Sequence, residues 1–108
     1  MAKVVLIESR DPHEHARAAE TTALARGLLQ QRDEVTVFLI ENGVLAARRS
    51  ARSAPLVELA GEGATILADD LSLRTRGIDR AQLADGVRAA SVDALVDRLA
   101  EGQKTLWF

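Results

Sequence analysis

The sequence contains no cysteine, only two prolines, and aromatic residues at just 3% of its length. The missing cysteine excludes disulfides, thiolate nucleophiles and cysteine-ligated metal sites together. Lysine is scarce as well: Lys3 and Lys104 are the only two, so arginine carries almost all the positive charge. With abundant alanine, that bias reads as a GC-rich coding sequence rather than as anion binding. A formal net charge of -2 points to no nucleic-acid partner. Long apolar runs are lacking too. The stretch from Val4 to Ile7 is too short for a signal peptide or a membrane span, so no membrane association is expected and the cytoplasm is the expected setting.

What remains is the composition of an ordinary globular protein, 47% hydrophobic and 28% charged over 108 residues, enough for one α/β domain spanning 1–108. Four short apolar runs stand out, at Val4–Ile7, Val35–Ile40, Ala64–Ala68 and Thr105–Phe108. They are continuous rather than alternating, as strands covered on both faces require. Between them the spacing predicts helices. Asp11, Pro12 and Glu14 suggest a capping box opening a helix of about five turns that fades near Asp33. Asn42 is placed to cap a short helix through Ala47, and Pro55 to open another ending at Gly61 or Gly63. Asp79 with Gln82 suggests a further capped helix stopping near Gly86. Ser91 caps the last, whose Val92, Leu95, Val96 and Leu99 share one face and which Gly102 ends. The order βαβαβααβ predicts a flavodoxin-like three-layer sandwich on a mainly parallel open sheet.

In such sheets ligands lie beyond the carboxyl ends of the strands, where strand order reverses. With the usual flavodoxin order, that crevice falls between the first and third strands. Ser9, Arg10, Asp11 and His13 would wall one side, and Asp69, Asp70, Ser72, Arg74 and Arg76 the other. Glu41 and Asn42 leave the second strand on the same edge.

At this point the chain resembles the DsrE-like family of sulfur-relay proteins over nearly its whole length. The likeness rests on the first strand leading into Asp11-Pro12 and an alanine-rich helix, then Val35-Thr36-Val37-Phe38-Leu39 and Asn42-Gly43-Val44. Arg76-Gly77-Ile78, Leu83, Gly86-Val87 and a final strand ending in Phe108 complete it. The resemblance implies a flavodoxin-like domain that assembles into dimers, trimers or hexamers. It also implies cysteines seven and four residues before the Arg-Gly-Ile segment, where relay members hold sulfur as a persulfide. Here Asp69 and Ser72 stand at those positions. Neither a carboxylate nor a hydroxyl offers the soft nucleophile and reversible S–S bond that exchange needs, so persulfide transfer is not expected.

Other chemistries are weighed on the same residues. His13-Glu14-His15 resembles a metal-ligand run, but residues two apart on a helix lie about 200° apart around its axis, so no metal site is expected. A hydrolase using Asp69 with His13 or Arg76, and a hydroxyl at Ser9 or Ser72, forms the alternative; no Gly-x-Ser-x-Gly elbow surrounds either serine. The plainer reading has Asp69 and Asp70 accepting loop amide hydrogen bonds. No dinucleotide or P-loop glycine pattern follows any strand, and no cofactor is expected. Arg48, Arg49 and Arg52, with Arg74, Arg76 and Arg80, offer a basic rim for an anion or an acidic partner; the plainer reading of the 48–52 run is a mobile, solvated loop. Trp107 and Phe108 read as buried packing, or as anchors of a subunit interface if the last strand lies at the sheet edge. The expectation is a non-catalytic homo-oligomer that binds a partner or small ligand at the crevice.

Overall fold

Five parallel strands form one sheet in the computed structural model, which describes residues 1–108. The strands are β1 (Lys3–Glu8), β2 (Glu34–Leu39), β3 (Thr65–Asp69), β4 (Val87–Ala90) and β5 (Lys104–Trp107). Helices α1 (Ala19–Gln30), α2 (Ala54–Gly61), α3 (Asp70–Thr75) and α4 (Val92–Ala100) connect them, so the expected α/β three-layer class holds.

Strand order is β4-β3-β2-β1-β5. The expected crevice between the first and third strands is therefore replaced: β2 pairs with both, setting Val37 beside Leu6 on one side and Ile66 on the other. The chain steps outward from β1 to β4, then crosses back to lay β5 against β1. Strand order thus reverses between β1 and β5. Because parallel crossovers are right-handed, the outward steps put α1, α2 and α3 on one face, and the return puts α4 on the other.

The α1–α3 face holds a continuous core of 19 buried residues, including Leu6, Val35, Val37, Leu39, Leu59, Ile66 and Leu73. Across the sheet, Val5, Ile7, Phe38, Leu67 and Leu95 form a cluster of only five. Leu95 is the sole buried residue of α4, while Val92, Val96 and Leu99 on the same helix are about half exposed. The amphipathic face expected of this helix is real, but one sheet face cannot cover all of it.

Three local expectations are corrected. The segment after Asp79 keeps its capping box but makes only a 3₁₀ turn, Arg80–Gln82, and the chain then enters the unforeseen strand β4. Gly86 makes that entry possible, since it adopts φ +83° and a Cβ there would lie 2.6 Å from the Ala60 methyl. The first helix starts later than expected. Asp11 Oδ1 accepts the His13 N–H at 3.0 Å within a turn, and a 3₁₀ turn at Ala16–Ala18 precedes α1. Asn42 caps nothing; the 3₁₀ stretch Glu41–Ala47 has no side-chain cap.

Candidate functional site

The carboxyl ends of β1, β2 and β3 gather most of the expected site residues, but in separate groups. At the end of β1, Glu8 is only 4% exposed, and hydrogen bonds surround its carboxylate. Its oxygens accept from the Arg10 backbone N–H at 2.9 Å, from Arg10 Nε and Nη2 at 3.1 and 3.2 Å, and from Thr21 Oγ1 at 2.7 Å. The Glu8 hydrogen bond raises the pKa of Arg10 against the opposing effect of burial, so the guanidinium keeps its charge. The Arg10 guanidinium also lies 5.6 Å from the centre of the Phe108 ring. Ser9 donates both its N–H and its Oγ–H to the Phe108 carbonyl, at 2.9 and 2.7 Å. Strand order reverses at this point, yet the gap is filled by Ser9, Arg10 and Phe108.

The second group caps α3. Asp69 is buried, and its Oδ2 accepts from the Ser72 N–H at 3.0 Å and the Ser72 hydroxyl at 2.7 Å. Ser72 Oγ in turn accepts the Glu41 N–H at 2.9 Å. Glu41 sits at φ +53°, a strained backbone for a residue with a Cβ, and this bond helps hold it there. Arg76 forks onto Asn42 Oδ1 at 3.0 and 3.1 Å and donates to the Ser72 carbonyl at 3.2 Å. Asp70 turns outward to Arg80 at 3.0 Å.

His13 and Asp69, offered as catalytic partners, make no contact with each other. His13 Nε2 accepts from Arg52 Nη2 at 3.3 Å, while Asp69 is committed to Ser72. The geometric objection to a His13–His15 metal site is also replaced, because both precede α1 in a turn. No three His, Asp or Glu side chains converge as a metal-ligating group.

A cavity of about 330 Å³ opens between α1 and α2, floored by Val37 and Leu39 of β2. Leu56 and Leu59 wall it, Pro12 and Arg52 stand at its rim, and Glu8 and Thr21 reach its inner end. Gly43 lies on the same lining, where a Cβ would run into the Glu8 carbonyl oxygen, so only glycine lets the β2 exit pass β1 this closely. Glu8, Thr21 and Arg52 were not among the expected site residues. The rule that ligands lie beyond strand carboxyl ends points to Glu8, the last residue of β1, which falls between the apolar run Val4–Ile7 and the crevice wall expected from Ser9 onward. Arg52 lies in the arginine run expected to be solvated, and it is exposed. Hydrogen bonds tie the run to its neighbours: Arg49 donates to the carbonyls of Ala81 and Leu83, and Ser50 and Ser53 cap each other around Arg52.

The model of the DsrE/DsrF-like family matches residues 2–108. The chain belongs to the DsrE/DsrF-like family. It is similar to a solved protein of unknown function from Methanobacterium thermoautotrophicum, with 28% identity, 100% of each chain covered and a TM-score of 0.87. The ychN protein from E. coli has the same fold at 22% identity, with 100% of each chain covered and a TM-score of 0.90. A conserved protein of unknown function from Bacteroides thetaiotaomicron also has it, at 18% identity and a TM-score of 0.80, covering 98% of this chain and 94% of its own. No curated protein matches the sequence. No helix of this DsrE/DsrF-like chain is long and apolar enough to cross a membrane.

Proposed function

We propose that this chain is a non-catalytic member of the DsrE/DsrF-like family that assembles with copies of itself and binds a small molecule, without carrying sulfur. The carrying observation is the closed hydrogen-bond set at Asp69 and Ser72. Where the resemblance puts sulfur-bearing thiols, a buried carboxylate caps a helix and a hydroxyl anchors the strained Glu41 turn. Those groups are occupied with structure. The cavity between α1 and α2, rather than a crevice between β1 and β3, is the place for the ligand.

Self-assembly is supported by the α4 face. Val92, Val96 and Leu99 form an exposed i, i+4, i+7 stripe, and Trp107, 65% exposed on edge strand β5, projects from the same side of the sheet as Ile7. A cytoplasmic setting is part of the proposal. The alternative, an enzyme using Asp69 with His13 or Arg76, has less support, because Asp69 bonds to neither and lines no part of the α1–α2 cavity.

Size-exclusion chromatography with light scattering at high micromolar concentration tests the assembly. A mass of two or more chains is expected, reduced by Val96→Glu with Leu99→Glu. A strictly monomeric species would overturn it.

A further inference from the structure

The α1–α2 cavity also indicates what it accepts, and this step rests on the reading that the domain binds a small molecule there. Its volume of about 330 Å³ falls at the low end of the roughly 300–1,000 Å³ of small-ligand sites. It has room for one aliphatic chain of about six to ten carbons. The floor and walls, Val37, Leu39, Leu56 and Leu59, are apolar.

Four charged side chains reach the lining: Glu8, Arg26, Arg52 and Glu58. Three have opposite-charge partners. Glu8 holds Arg10, and Arg26 holds Glu58 and Glu62, each at 3.3 Å. Arg52 has none. The only side-chain bond its guanidinium makes is to the imidazole of His13, another basic group. A guanidinium presents paired N–H donors that match the two oxygens of a carboxylate, so a cation at the rim of an apolar hollow with no anion beside it is built for one. The backbone around it is fixed in advance: the Arg52 N–H donates to Ser50 Oγ at 3.1 Å, inside the mutual Ser50–Ser53 cap.

We infer that the cavity binds an unbranched aliphatic monocarboxylate, with its carboxylate on Arg52 and its tail against Val37, Leu39 and Leu59. Binding is reversible and breaks no covalent bond.

The test titrates the full ¹⁵N-labelled chain with octanoate, octan-1-ol, octylamine and acetate. Octanoate is expected to bind saturably and to shift amides around residues 18–23, 37–39 and 52–59. Acetate, which lacks the tail, should not. Arg52→Gln should weaken octanoate by about tenfold or more while leaving octan-1-ol unchanged. Ala23→Trp, at an exposed α1 position on the lining, should abolish binding of both; if it does not fold, Arg52→Gln decides alone. Equal octanoate affinity in Arg52→Gln and the wild type overturns the inference. So does octan-1-ol or octylamine binding as tightly as octanoate, although small-molecule binding then stands. If none of the eight-carbon compounds shifts the cavity amides, both the inference and that part of the proposed function fall.

Discussion

Beneath α1, α2 and α3 the sheet buries 19 residues in one continuous core, while beneath α4 it buries five. Both faces belong to the same five strands and carry similar strand residues. The difference comes from connectivity: three outward crossovers load one face with helices, and the single return crossover leaves one short helix for the other. Fully burying a Val or Leu side chain is worth about 1.5–3 kcal/mol, so the half-exposed Val92, Val96 and Leu99 hold back stabilisation that a second surface could supply. The loaded face makes the fold and encloses the cavity. The sparse face leaves Val92, Val96 and Leu99 of α4 half uncovered.

That contrast is open to direct attack. Phe38, fully buried and the largest side chain of the five-residue cluster, has few neighbours able to close over a void. Phe38→Ala should lower unfolding free energy by about 4 kcal/mol in urea denaturation, the largest effect expected. Leu59→Ala on the loaded face should cost about 3 kcal/mol by the same measurement, because α2 can settle partly into the space. If Phe38→Ala proves the milder of the two, the faces do not differ as described. Asp69→Ala removes a helix cap and leaves the buried Ser72 hydroxyl without its acceptor, for an expected loss of about 2 kcal/mol read from thermal melts by circular dichroism. Smallest of all, Val96→Glu with Leu99→Glu removes two half-buried apolar side chains and should lower the stability of the single chain by about 1 kcal/mol while lowering the assembled mass. These comparisons need matched protein concentration, since the proposed assembly would itself stabilise the fold.

Several elements were legible because their physics is local. β1, β2 and β3 are continuous apolar runs, and Ser91 caps α4 through the Asp93 N–H as its spacing suggests. β4 was not, since Val-Arg-Ala-Ala is an edge strand with one buried residue, and nothing in those four side chains outweighs the capping box before it. The start of α1 misled for a related reason: Asp11, Pro12 and Glu14 have the residue types of a helix start, but a turn consumes the Asp11 carboxylate first. Strand order lay beyond local signals altogether, because every crossover is long enough to reach either neighbour. At the site, an amide hydrogen bond to Asp69 is what its side-chain chemistry suggests, and Ser72 supplies it, whereas Asp70 pairs with Arg80 instead. The Glu8–Thr21 bond and the Arg52–His13 pair join residues 13 and 39 positions apart, and only packing brings them together.

Asp69 and Ser72 also bear on how this sequence can change. A thiol at 69 alone would strip the acceptor from both the Ser72 N–H and its hydroxyl. A thiol at 72 alone would leave the Glu41 N–H with a poor acceptor at a backbone angle already under strain. Each step toward sulfur chemistry therefore breaks a different link of one short hydrogen-bond chain, the α3 cap at 69 and the Glu41 turn at 72.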